Sequence, residues 1–236
     1  MKPTVRTIFL SAALSPLALI PSLSHAGVSA EIGAVSDYVF RGAQQTNGNN
    51  QPQWQGGLDY ENAYGFYAGA WGSTLFNIYG DDMTSEGLEY DLYAGWQGSI
   101  TPDFGLKIGT TYYNYTDADV FPNGKMFGTF KEINLGVDYS IVSLAFDIGY
   151  DDSGAKTEHY QHYAIAFDLD QYVPGFGITY GFTKMASEAP KAYLDFGYTG
   201  QFYGFIFGAN VIYSNKHNDD DTYLLLSVKK EFQLME

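Results

Sequence analysis

From residue 28 onward the chain alternates apolar and polar positions with a period of two, the pattern of strands that present one face to each of two environments. In the first such segment Val28, Ala30, Ile32, Ala34, Tyr38 and Phe40 fall on one face, and Ser29, Glu31, Gly33, Asp37 and Arg41 on the other. The segment 88–97 sets Leu88, Tyr90, Leu92, Ala94 and Trp96 against Glu89, Asp91, Tyr93, Gly95 and Gln97. Around 131–140, Ile133, Leu135, Val137 and Tyr139 oppose Glu132, Asn134, Gly136 and Asp138; later, Leu144, Phe146, Ile148 and Tyr150 oppose Ser143, Asp147 and Gly149. Such runs number about twelve, each near the nine to eleven residues that cross a bilayer at a tilt. No window sustains a helical period, and no stretch beyond the first 26 residues approaches the length of a membrane-spanning helix.

The connections alternate in length. Long ones are expected near 42–52, 75–87, 116–126, 151–158, 185–190 and 214–221, short ones near 61–65, 98–103, 140–142, 170–175 and 200–201. Tight turns at one end and longer loops at the other are the asymmetry of outer-membrane barrels. The long connections carry Asp81, Asp82, Asp117, Asp119, Asp151, Asp152 and Asp219 to Asp221, which predicts an acidic outer rim.

Composition separates a membrane barrel from a soluble β-sandwich. The chain holds 21 Tyr, 17 Phe and 3 Trp with 27 Gly, and only 17% of its residues are charged. A sandwich would solvate its outer face with Lys, Thr and Glu; here the polar face is rich in Gly and Tyr. Aromatic residues at strand ends (Tyr38, Phe40, Tyr60, Phe104, Tyr115, Tyr139, Phe202, Tyr213, Phe232) fit interfacial girdles. The predicted fold is therefore all-β: a transmembrane, antiparallel, up-and-down β-barrel of about twelve strands. Its last strand is expected over Thr222–Phe232, with Gln233 to Glu236 as a tail beyond the closing aromatic.

The opening residues read as an export signal. Lys2 and Arg6 precede an apolar run from Ile8 to Ile20, and Ser24-His25-Ala26 places small residues at −3 and −1 of a cleavage site. Residues 1–26 are thus expected to be a cleaved secretory signal and 27–236 the barrel. Loss of Lys2 and Arg6 leaves 10 basic against 27 acidic residues, a net charge of −17. That balance argues against a nucleic-acid partner. With no cysteine, neither disulfides nor thiolate metal sites are available.

The segment Gly33-Ala34-Val35-Ser36-Asp37-Tyr38-Val39-Phe40-Arg41-Gly42 resembles the opening motif of the proteobacterial TorF-type porin family. The likeness continues through Gln45-Thr46, Gln55 to Tyr60, Gly65-Phe66-Tyr67, Gly69 to Ser73 and Leu88 to Gly95, about the first third of the chain after the signal. Gln44 stands where Ser is expected and Thr74 where Asn is expected. The resemblance implies an outer-membrane porin and names no solute.

Strand parity assigns the candidate pore-lining residues: Asp37, Arg41, Asp59, Glu89, Asp91, Lys107, Glu132, Asp138, Asp147 and Asp195, with Glu31, Lys229 and Glu231 beside them. Carboxylate-rich linings favour cations. Against an open pore stand inward Tyr67, Tyr93, Tyr113 and Tyr193, which suit a lumen braced by paired charges. Arg41, a rare cation there, is expected to pair with Asp59 or Glu89 and to shape the constriction. The expected role is passive diffusion of small solutes or ions with weak cation preference, among outer-membrane lipids and lipopolysaccharide, with no cofactor. The alternatives are a non-conducting structural or receptor barrel with acidic external loops, and a lipid-modifying hydrolase. The hydrolase finds little support: no G-x-S-x-G is present, and His159 and His162, three apart on a strand, point to opposite faces. Asp117 to Gly124 lacks the fifth-position ligand of a calcium loop, since Phe121 stands there.

Overall fold

The computed structural model describes residues 26–45, 52–76, 86–115, 130–151, 157–185, 189–216 and 219–235. The expected signal, apart from Ala26, and Asp81, Asp82, Asp117, Asp119 and Asp152 of the long connections lie outside the described residues, whereas Asp151 and Asp219 to Asp221, expected in connections, fall within strands. Among the described residues there are fourteen strands: β1 (Gly27–Val35), β2 (Val39–Phe40), β3 (Ala43–Gln44), β4 (Gln53–Glu61), β5 (Phe66–Phe76), β6 (Glu86–Thr101), β7 (Phe104–Tyr115), β8 (Phe130–Tyr139), β9 (Val142–Asp151), β10 (Glu158–Asp168), β11 (Phe176–Met185), β12 (Lys191–Phe202), β13 (Phe205–Lys216) and β14 (Asp219–Met235). Twelve of them, all except β2 and β3, form one closed barrel in which each strand pairs with its sequence neighbours. Closure comes from β1, whose Ile32 lies opposite Gly56 of β4 on one side and Lys230 of β14 on the other. Strand β14 runs on to Met235, so Gln233 and Leu234 belong to the wall rather than to a free tail.

Burial is inverted relative to a water-soluble protein. Leu58, Leu92, Ile108 and Leu224 are 50–67% exposed on the outer surface, whereas Glu132, Asn134, Asp147 and Asp195 inside are at most 2% exposed. Apolar side chains outward and charged ones inward suit a hydrocarbon exterior, so this is a transmembrane barrel rather than a soluble sandwich. At the short-turn end Tyr60, Tyr64, Phe66, Tyr139, Phe202, Tyr203 and Phe232 are exposed, and at the other end Trp54, Tyr112, Tyr150 and Tyr213. These form the two girdles expected at membrane interfaces.

The short turns are built by local chemistry. Asn62 Oδ1 accepts from the amides of Tyr64 and Phe66, and Gly65 follows at φ 82°. Tyr203 and Gly204 take φ 49° and 75°, the two left-handed residues of a tight hairpin turn. This last turn lies a little beyond the position expected from the sequence.

The first strand departs most from expectation. Periodicity carries it through Arg41, but β1 ends at Val35. Ser36 still holds the wall: its amide donates to the Leu226 carbonyl at 2.8 Å, and its Oγ accepts from the Leu226 amide at 2.9 Å. The chain then leaves the wall and folds inward as the β2–β3 hairpin. Arg41 and Gly42 form its tip at φ 51° and 76°. Asp37 staples the base, accepting from the Tyr38 amide at 2.7 Å and from Gln44 Nε2 at 2.5 Å. Tyr38, Phe40 and Tyr115 are therefore lumenal and take no part in the interfacial girdle.

Candidate functional site

The hairpin crosses the lumen. Val39, with no exposed surface, packs with Tyr193, Ile212 and Leu225 on β12, β13 and β14. Tyr38 faces the other way, into Tyr67, Trp71, Leu75 and Tyr93 on β5 and β6, with its ring centroid 5.9 Å from that of Trp71. From the tip, Arg41 reaches β8 and β9, which lie across the barrel from β1. Its Nη1 donates to Glu132 Oε1 at 2.5 Å; Nη2 donates to Glu132 Oε2 at 3.1 Å and to Asp147 Oδ2 at 2.8 Å. The pairing with Asp59 or Glu89 expected from the sequence is thus overturned. With its strand ended at Val35, Arg41 sits on an inserted tip that carries it past the near wall.

The receiving acids are themselves fixed. Glu132 accepts from Tyr113 Oη at 2.9 Å and from Tyr160 Oη at 2.7 Å. Asn134 Nδ2 bridges Glu132 Oε2 and Asp147 Oδ1, both at 2.9 Å, and Thr111 Oγ1 donates to Asn134 Oδ1 at 2.9 Å. This network saturates both carboxylates with charge-assisted or neutral donors, the condition under which buried charge is tolerated.

The remaining predicted residues are distributed along the lumen. Asp59 accepts from Tyr93 Oη at 2.5 Å, Asp138 from Ser143 Oγ at 2.5 Å, and Asp195 from Asn210 Nδ2 at 2.9 and 3.2 Å. Lys107 Nζ lies 5.3 Å from the Tyr67 ring centroid. Lys229 Nζ contacts Glu31 at 3.2 Å and Glu231 at 2.8 Å. Glu89 accepts from Tyr115 Oη at 3.1 Å, and Asp91 is fully buried between Trp71 and Tyr113, its cross-strand partners. Asp37 lines no open surface: it braces the hairpin.

Glycine on the lumenal face makes room for tyrosine. Tyr67 lies directly across from Gly95, Tyr93 from Gly69, Tyr160 from Gly149 and Tyr193 from Gly181. A Cβ on any of these glycines would collide with the partner ring. The rings therefore fold down over the neighbouring strand and brace the curved sheet, and those of Tyr93 and Tyr160 bring their hydroxyls to Asp59 and Glu132.

Sequence reasoning missed Val39, Asn134 and Tyr160 as parts of the site. Asn134 and Tyr160 share strand parity with the acids, which was the available signal; nothing local marks Val39. His162 is lumenal, with Nδ1 2.9 Å from Thr183 Oγ1 and its ring stacked on Tyr193, while His159 packs outside against Tyr150.

Fold and site together define a closed twelve-stranded transmembrane barrel whose lumen is crossed by an inserted, ion-paired hairpin. Among solved structures it is similar to the KdgM porin, with a TM-score of 0.52 at 8% identity over 87% of this chain and 99% of that one. It is similar also to a membrane protein crystallized in meso, with a TM-score of 0.53 at 11% identity over 89% of this chain and 84% of the other. Pseudomonas aeruginosa OprD aligns at a TM-score of 0.44 and 10% identity over 89% of this chain and 68% of its own. At these identities the likeness concerns the fold. No curated protein matches the chain. The chain belongs to the Gcw_chp family, bacterial proteins of unknown function, whose model matches residues 21–233.

Proposed function

We propose that this protein is an outer-membrane channel of the TorF porin type, exported by its first 26 residues, through which small solutes or ions diffuse passively with a weak preference for cations. The observation that carries the reading is the combination of a closed barrel, an apolar exterior and a lumen in which acid outnumbers base. Glu31, Asp59, Glu89, Asp91, Glu132, Asp138, Asp147 and Asp195 face Arg41, Lys107 and Lys229 there; an excess of fixed negative charge concentrates cations and repels anions. The hairpin is the constriction, and its Arg41 clasp sets how much of the lumen is open. No covalent chemistry is assigned. The exterior contacts membrane lipid, and the acidic outer connections would meet lipopolysaccharide phosphates through divalent ions.

Single-channel recording of the refolded mature protein in planar bilayers under a salt gradient tests this. Stable steps with a cation-selective reversal potential support it; inserted, folded barrels that stay silent refute the channel. One observation favours a second reading, a non-conducting structural or receptor barrel: the hairpin engages walls on three sides, through Trp71, through Ile212 and Leu225, and through Glu132 and Asp147.

A further inference from the structure

The two sides of the inserted hairpin differ in how their polar groups are satisfied. On the β8–β9 side Arg41, Asn134, Tyr113 and Tyr160 account for Glu132 and Asp147. On the Tyr38 side they are only partly accounted for: Glu89 Oε1 accepts from Tyr115 Oη at 3.1 Å. Among the described residues, the buried side-chain polar atoms without a hydrogen-bond partner are Gln55 Oε1, Tyr67 Oη, Trp71 Nε1, Glu89 Oε2 and both carboxylate oxygens of Asp91. All belong to three adjacent strands, β4, β5 and β6. Buried unpaired polar atoms are rare in folded proteins, and a cluster of them calls for a physical partner.

Most of these atoms are acceptors, and two side chains bring formal negative charge. Glu89 and Asp91 are two apart on one strand, hence on one face about 7 Å apart. Gln55, Ser73 and Glu89 form one row across β4, β5 and β6, spanning about 10 Å at two strand spacings. Glu89 is 2% exposed, Asp91 0% and Gln55 5%, so bulk water does not screen the pair. The clustered rings of Tyr38, Trp71 and Tyr115 wall the space. Arg41, the cation that the hairpin brings, is engaged by Glu132 and Asp147. Isolated carboxylates do not stay ionised in such a place without a counter-charge.

We propose that Glu89 and Asp91, with Gln55 beside them, form a site for a hard divalent cation of the calcium class, seated between the inserted hairpin and the β4–β6 wall. The available donors are carboxylate and amide oxygens; no sulfur or imidazole is among them, which selects calcium or magnesium over zinc or copper. The less demanding coordination geometry of calcium suits an irregular donor set better than the octahedron that magnesium requires. The site does not depend on conduction, so it stands or falls separately from the channel reading.

Calorimetric titration of the refolded, chelator-treated mature protein with calcium chloride is the test. A saturable event is expected, weakened at least tenfold by Asp91→Asn or Gln55→Met and abolished in the Glu89→Gln/Asp91→Asn double variant. Asp195→Asn, a buried lumenal acid already satisfied by Asn210, should leave it unchanged. Heat-modifiable gel mobility verifies that each variant is folded. Binding that persists in the double variant belongs to the acidic outer connections and overturns the proposal. So does the absence of saturable binding up to about 10 mM calcium, beyond the range of weak extracellular calcium sites, since protons would then hold the pair.

Discussion

Removing Arg41 should open the barrel, and the structure gives the size of the effect. A closed sheet of twelve strands, spaced about 4.8 Å and tilted about 40°, has a backbone diameter of about 24 Å. Lumenal side chains projecting about 6 Å from each wall would leave a passage of about 12 Å, which the two-stranded hairpin fills where it crosses. Arg41→Ala deletes the contacts to Glu132 and Asp147, whose side chains are 0% and 3% exposed, and leaves two buried carboxylates without the guanidinium that clasps both. Breaking a buried ion pair on one side costs about 3–5 kcal/mol, a shift of roughly 10²- to 10⁴-fold in the ratio of docked to released hairpin. Single-channel conductance in planar bilayers should rise several-fold, with longer open times. Arg41→Lys keeps the charge but loses the fork that holds both acids, so it should fall between Arg41→Ala and the wild type. A triple variant, Arg41→Met with Glu132→Gln and Asp147→Asn, removes the cation and both anions together and should keep the hairpin docked, with near wild-type currents. If folded Arg41→Ala barrels carry the same currents as the wild type, the hairpin is not the constriction.

Four other substitutions probe the remaining contacts. Val39→Asp places a charge within the Tyr193–Ile212–Leu225 cluster; it should undock the hairpin by several kcal/mol and expose 36–45 to limited proteolysis. Gly149→Val drives a branched side chain into the Tyr160 ring; overpacking of this kind costs about 1–3 kcal/mol and should lower the heat-modification midpoint on gels. Gly200→Ala, where the nearest atom would lie 3.5 Å away, should leave that midpoint unchanged. Leu92→Arg sets a cation on the outer surface, where Leu92 is 50% exposed; it should reduce unfolding free energy in lipid by about 2–4 kcal/mol if that surface faces the bilayer centre, and have little effect if it faces water.

The wall was legible because each strand repeats one instruction. From Leu88 to Gln97, or from Glu132 to Tyr139, every second side chain meets the same environment, so parity alone separates Leu92 from Asp91 and Ile133 from Glu132. The same rule puts Glu31, Asp59, Glu89, Lys107, Asp147 and Asp195 on the lumenal face and sets His159 and His162 on opposite faces. It failed between Ser36 and Gln45. Tyr38 and Phe40 continue the apolar alternation of β1, and an aromatic near a strand end reads as an interfacial anchor. What removes them from the wall is the Arg41-Gly42 turn, a tight-hairpin signal masked by the surrounding period.

Arg41 shows why partners are harder to read than faces. Its face on an extended strand suggested nearby Asp59 or Glu89, because strand pairing brings sequence neighbours together. Its partners lie 91 and 106 residues away, a separation set by the diameter of the barrel rather than by pairing along the chain. A charge at the tip of an insertion selects the wall opposite its root, and that choice follows only from strand number, closure and hairpin length together. Glu132 and Asp147 were recognisable as lumenal acids, and Asn134, Tyr113 and Tyr160 share their parity. Their convergence on one guanidinium is what turns a polar lining into a clasp. The open carboxylate oxygens of Glu89 and Asp91 on the other side follow from the same geometry, because a single arginine at the tip can satisfy one wall and must leave the other to a different counter-charge.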